Sequence, residues 1–142
     1  MVSLLDPDQV GWFAARQPAL VRTLSQSLGE ATDAFAVALD GAWRLSSVFE
    51  LRDGVPPRRL SDDQLDRSRR IAALEGISGQ VLADGGASRQ TELCRWVASY
   101  VSDPPMPLSG SEASEVGRLL IALLYALDEV TQGAQVATLP RL

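Results

Sequence analysis

Apolar residues recur at helical spacing along most of the chain, and this pattern predicts an all-α protein. The most regular stretch lies between residues 18 and 52, where apolar positions alternate steps of four and three. Its members are Leu24, Leu28, Ala31, Phe35, Ala38, Ala42, Leu45 and Phe49. A repeat of about 3.5 residues is typical of a helix that packs along a partner helix. We expect one long helix from 18 to 52. A kink at Gly29 or Gly41 is the alternative, since each glycine costs about 1 kcal/mol inside a helix.

The first residues predict a short N-terminal helix. Asp6 is a good N-cap residue, and Pro7 follows it at the first helical position. Pro18 disfavours helical geometry at the residue before it. The short helix is therefore expected to end near Arg16.

Capping residues also predict where three later helices begin and end. Two segments, 61–84 and 109–133, begin with a serine followed three positions later by glutamine or glutamate, which is the spacing of a capping box. An amphipathic pattern predicts another helix at 88–102. We therefore expect one domain over residues 1–142, a helical bundle of four main helices plus the short N-terminal helix.

The segment SEVGRLLIALLYALDEV, residues 114–130, is apolar on nearly all sides between its terminal acids. A helix of this kind is buried, so we expect it to be the central helix of the bundle. Its uncharged run, 119–127, is too short to span a bilayer, and we expect no membrane association. Glu115 and Arg118 are expected to pair along the helix.

The chain contains no histidine and no lysine. This composition excludes Ser-His-Asp and Cys-His catalysis, zinc sites that contain histidine, and Schiff-base chemistry. We expect no enzymatic activity and no cofactor. The single cysteine, Cys94, cannot form an intramolecular disulfide and is expected to be a small buried hydrophobe. With no signal peptide evident at the N-terminus, we expect a cytoplasmic protein.

Two acidic segments resemble metal-binding motifs of the all-α nucleotide pyrophosphohydrolases of the MazG type. Residues 115–118, EVGR, look like the E-x-G-D motif of that family, and residues 28–33, LGEATD, look like its E-x-x-E helix. The resemblance implies a magnesium enzyme, with four candidate ligands in the bundle core. These ligands are Glu30, Asp33, Glu115 and Asp128. Arg118 stands where the family has its second carboxylate, so this enzyme, or a degenerate relative of it, is the alternative hypothesis.

An arginine-rich segment, PPRRLSDDQLDRSRR at residues 56–70, is the second candidate site. Its candidate partner contacts are Arg58, Arg59, Arg67 and Arg70. Three aspartates lie among the arginines, and pairs at i,i+4 such as Asp63 with Arg67 indicate a solvated helix face. A contact with a partner protein and a nucleic-acid-associated regulator are the alternatives. The net charge of −5 argues against nucleic acid.

Adjacent aromatics on the short first helix, Trp12 and Phe13, form a candidate docking element, with packing against the protein's own bundle as the alternative. The acidic charge and the long heptad helix favour a small protein-interaction module that binds through a helix face. We expect an inhibitor or immunity-like protein, a chaperone or a scaffolding subunit. Its partner is another protein, and the long heptad pattern predicts a homodimer as well.

Overall fold

The computed structural model describes residues 5–29, 32–55, 57–75 and 91–138, and it contains helices and no strands within these ranges. The helices are α1 (Pro7–Arg16), α2 (Pro18–Leu28), α3 (Asp33–Asp53), α4 (Asp62–Glu75), α5 (Thr91–Ser102) and α6 (Gly110–Thr138). The predicted all-α class is confirmed. The predicted count of four main helices plus a short one is wrong, because the described ranges contain six helices.

The long helix predicted between 18 and 52 is divided at Gly29. This glycine has a φ of +83°, a backbone conformation that glycine adopts without the steric cost of a Cβ atom, and its N–H donates to the carbonyl oxygen of Ser25. The hydroxyl of Thr32 then accepts a hydrogen bond from the N–H of Phe35 at 3.1 Å and caps α3. The heptad pattern still identified the core-facing side of both helices. Leu24, Ala38, Ala42, Leu45 and Phe49 are all buried.

Reciprocal capping boxes begin three of the helices, and two of the three boxes were predicted. Their side-chain and backbone bonds measure between 2.8 and 3.2 Å. The paired residues are Asp6 with Gln9, Ser61 with Gln64, and Ser109 with Glu112. The predicted end of the last helix at Gly133 is wrong, since α6 continues to Thr138. Predicted helical residues 76–84 and 88–90 lie outside the described residues.

Helix α6 is the centre of the bundle, as predicted. Residues 119–128 are all buried, and α6 packs against α3, α4 and α5. Gly41 does not kink α3; it allows a close crossing with α6. A Cβ atom at this position would lie 2.8 Å from Cδ1 of Leu120, well inside normal contact distance.

A buried glutamine ties the loop before α4 to the first two helices. Gln17 is 3% exposed. Its Nε2 donates to the carbonyl oxygen of Arg58 at 3.0 Å, and its Oε1 accepts from the N–H of Leu60 at 2.9 Å. Since both loop groups depend on one side chain, Gln17 sets the path of residues 58–60. Within the described ranges, no helix combines the length and the apolar character needed to cross a membrane.

Candidate functional site

An open cavity of about 590 Å³ lies between α3, α5 and the segment that leads into α1. Its walls are mostly apolar: Trp43 and Val48 come from α3, Leu93 and Trp96 from α5, and Leu5 from the N-terminal side. The volume falls within the range of about 300–1,000 Å³ that is typical of ligand-binding clefts. We refer to this cavity as the α3–α5 groove.

A buried carboxylate lies at the base of the groove. Asp40 is only 4% exposed, although carboxylates in protein interiors are costly unless they are paired. One oxygen, Oδ2, accepts from Nε of Arg44 at 2.8 Å and from the hydroxyl of Tyr100 at 2.6 Å. Both distances are typical of charge-assisted hydrogen bonds. The carboxylate therefore joins α3 to α5.

The half-buried position of Tyr100 next to Asp40 raises the pKa of its hydroxyl, so the hydroxyl keeps its proton. Burial raises the pKa of Tyr100 above its usual value of 10.0, and the hydrogen bond to Asp40 and the charge of Asp40 raise it further. The hydroxyl also lies 3.0 Å from the carbonyl oxygen of Val37, and the ring stacks on Trp96 with centroids 4.8 Å apart. Tyr100 is thus a fixed donor that connects Asp40 to an aromatic wall of the groove.

Arg44 is a fixed cation on the edge of the groove. Its hydrogen bond to Asp40 and the charge of that carboxylate raise the pKa of Arg44. The pair with Asp40 uses Nε, and the side chain remains 60% exposed. The outer edge of the guanidinium, Nη1 and Nη2, stays available for a second planar acceptor.

Exposed aliphatic side chains extend the groove along α3. Val48 lines the groove and is 41% exposed, while Leu51 and Val55 are 84% and 62% exposed. Val48 and Leu51 follow Arg44 at i+4 and i+7, so they share one face of the helix with it, whereas Val55 lies beyond the end of α3 at Asp53. We refer to Val48 and Leu51 as the α3 stripe. The stripe and the groove form one continuous surface along α3.

The aromatic pair predicted to dock a partner has separate roles in the structure. Phe13 is 2% exposed and packs edge-to-face on Trp43, with ring centroids 5.6 Å apart, so it contacts the protein's own core. Trp12 is 45% exposed. Its ring also packs edge-to-face on Trp43, at 5.3 Å, and the guanidinium of Arg16 lies 4.7 Å from its centroid. Phe13 is therefore a core residue, and a partner contact at the exposed part of Trp12 stays a prediction.

The predicted arginine cluster is tied to neighbouring elements of the same chain. Arg67 pairs with Glu129 of α6 at 2.9 Å instead of with Asp63. Within the same segment, Asp62 forms an ion pair with Arg22 of α2. Nη2 of Arg59 donates to the carbonyl oxygen of Ala15, and Nε of Arg70 donates to the carbonyl oxygen of Asp66. The carbonyl oxygen of Arg58 accepts the hydrogen bond from Nε2 of Gln17. The arginines at 58, 59, 67 and 70 are exposed, but the side chains at 59, 67 and 70 make polar contacts within the same chain.

The three candidate metal ligands within the described residues do not share a site. Glu115 and Asp128 both lie on α6, and the 13 positions between them correspond to about 20 Å along a helix. Asp33 is exposed at the start of α3, and Glu30 lies outside the described residues. Arg118 lies 3.9 Å from Glu115, which confirms that pairing. In the ranges that the structure describes, no three acidic or cysteine side chains form a group that could hold a metal ion.

Sequence reasoning missed the polar centre of the groove, although one signal for it exists. Asp40 interrupts AFAVALDGAW, the most apolar part of α3, and Arg44 follows it at i+4. Nothing local connects this pair to Tyr100, which lies 60 positions further along the chain. Cys94 is buried, as predicted. No protein-family model matches the sequence, and no curated protein or solved structure matches it either.

Proposed function

We propose that the protein is a non-catalytic interaction module that binds an amphipathic helix of a partner protein in the α3–α5 groove. One observation carries the proposal: the groove opens directly onto the exposed α3 stripe. Contiguous apolar surface of this kind marks interaction sites on globular proteins. We place this activity in the cytoplasm, and no reaction or cofactor is part of it.

The dimensions of the surface suit a helix. From Asp40 to Leu51 the surface follows 11 residue steps of α3, or about 16 Å. A partner helix of about three turns has the same length, and an apolar helix face in an apolar groove is a common mode of peptide recognition. Trp43 and Trp96 offer rigid aromatic surface for its anchor residues.

A different protein fits this surface better than a second copy of the chain. The core-facing residues of the heptad pattern that predicted a homodimer are buried within the chain's own bundle. An antiparallel pairing of two α3 helices centred on Val48 would also place Arg44 of one copy opposite Arg52 of the other, and like charges across an interface repel. The homodimer stays a prediction, which light scattering over micromolar concentrations tests.

The experiment is a selection from a displayed library of single-helix peptides about four turns long, which is one turn longer than the surface they must cover. Leu51→Asp places a charge in the α3 stripe. Ile71→Asp is the matched control, because Ile71 is a 41% exposed aliphatic residue on α4. Selected peptides are expected to bind the unaltered protein and the control alike, and to bind Leu51→Asp at least about tenfold more weakly. Absence of enrichment, or equal binding to both variants, contradicts the proposal.

A further inference from the structure

We infer that Arg44 recognises a carboxylate on the partner helix and sets its register in the groove. This inference rests on the proposed function and specifies the partner: a helix with an aspartate or glutamate on the same face as its apolar anchors. The acid would form a two-pronged hydrogen-bonded pair with the outer edge of the guanidinium.

The orientation of Arg44 supports a recognition role. Its Nε donates to Oδ2 of Asp40 at 2.8 Å, and the same oxygen is held from α5 by the hydroxyl of Tyr100 at 2.6 Å. The guanidinium plane is thereby held before any ligand arrives. Less side-chain freedom is then lost on binding, which favours affinity.

Covering Arg44 with a partner helix also favours an acidic partner. The arginine side chain is 60% exposed, so water now solvates its outer edge. An apolar helix lying along Val48 and Trp43 would remove that water. Arg44 would keep its pair with Asp40, but the N–H groups on its outer edge would lose their hydrogen bonds to water. A carboxylate of the partner at this point restores those hydrogen bonds, which favours a partner that carries one.

The other charges at the surface leave Arg44 as the recognition point. The negative charge of Asp40 is already paired with Arg44 and hydrogen-bonded by Tyr100. Glu92, on the rim, would repel an acid at the α5 side of the groove. Arg52 flanks the α3 stripe, but it pairs with Asp53 at 3.3 Å and lies over the ring of Phe49. The favourable position for an acid is next to Arg44.

The spacing along α3 predicts the sequence pattern of the partner. Val48 and Leu51 follow Arg44 by four and seven positions, which correspond to about 6 and 10 Å along the helix. A partner helix that matches these points carries its acid at position i and apolar residues at i+4 and i+7. An antiparallel helix carries the same pattern in reverse.

The test uses the selected peptides described above. We expect aspartate or glutamate to be enriched at one position with this spacing, and the enrichment to disappear when the selection is repeated on Arg44→Gln. For one such peptide, replacing the acid by its amide should weaken binding to the unaltered protein about tenfold, but to Arg44→Gln less than about twofold. Arg52→Gln is the control and should behave like the unaltered protein.

A second measurement needs no substitution in the protein. Raising the NaCl concentration should weaken the binding of the acid peptide to the protein, because salt screens the charge pair. The affinity of the amide peptide should stay nearly unchanged. Equal affinity of the two peptides for the unaltered protein overturns the inference. Peptides without an acid that still depend on Leu51 would overturn the inference and leave the proposed function standing. Failure of the selection would remove the proposed function itself.

Discussion

The hydroxyl of Tyr100 joins α5 to the buried carboxylate of Asp40, and its removal is the sharpest test of the polar centre. Tyr100→Phe keeps the ring that stacks on Trp96 and deletes only the donor. Asp40, 4% exposed, would then retain Arg44 as its remaining partner in this network. Hydrogen bonds to charged groups contribute about 1.5–3 kcal/mol. We expect the free energy of unfolding to fall by that amount at pH 7.

The pH dependence of this loss separates the hydrogen bond from a general packing defect. The folded state raises the pKa of Tyr100 above 10.0, the value expected for the unfolded chain. The associated stability is fully present below pH 10 and is lost as pH rises above it, because the unfolded chain then releases the proton first. At pH 11 the wild-type protein should have lost about 1 kcal/mol through this group, a figure that allows for solvent around the half-buried ring. Tyr100→Phe has no hydroxyl at this position, so this loss of stability is absent in the variant.

The assay is urea unfolding followed by far-ultraviolet circular dichroism at pH 7, 9 and 11. The absence of lysine, whose ordinary pKa of about 10.4 falls in this range, simplifies the alkaline measurements. The difference between wild type and Tyr100→Phe should be constant from pH 7 to 9 and smaller by about 1 kcal/mol at pH 11. A difference that stays the same at all three pH values, or a variant as stable as wild type at pH 7, refutes the reasoning.

Three further substitutions test the fold by the same urea assay. Gln17→Leu leaves the N–H of Leu60 and the carbonyl of Arg58 without their partner and should lower the free energy of unfolding by about 2–4 kcal/mol. A decrease below about 1 kcal/mol would contradict the role of Gln17 in holding this loop. Gly29→Ala forces a side chain into a positive-φ conformation and should cost about 1–2 kcal/mol, and an unchanged midpoint would argue against the break between α2 and α3. Ser46→Ala should leave stability unchanged or raise it by up to about 1 kcal/mol, because the buried hydroxyl has no partner within the described residues. A clear loss on Ser46→Ala would show a hydrogen bond to that hydroxyl.

Local signals predicted the helix starts well. The serine at 61 and the glutamine at 64 exchange bonds three positions apart, so their pattern is complete in a few letters. The break at Gly29 was only an alternative in the sequence, since the apolar register continues from Leu24 to Phe35 across it. The helix propensities of these residues do not decide between one helix and two, because the apolar register fits a continuous helix and a divided one equally.

Contacts between distant parts of the chain explain the remaining differences. Arg67 has Asp63 as a neighbour on its own helix, yet it pairs with Glu129, 62 positions away, once α4 packs on α6. The groove has the same origin, because its walls come from α3 and α5 and its centre joins Asp40 to Tyr100. Periodicity shows which face of a helix is buried, but it does not show which two helices lie side by side.

The indole N–H signals of the three tryptophans test the proposed groove most directly. Trp96 lines the groove, whereas Trp12 lies outside its lining and packs on Trp43. Titration of ¹⁵N-labelled protein with a selected helical peptide should shift the Trp96 signal in a saturable manner and shift the Trp12 signal less. Leu51→Asp should abolish the shift at the same peptide concentration. A peptide that binds while the Trp96 signal stays in place, or that shifts Trp12 more than Trp96, would contradict the assignment of the groove as the binding site.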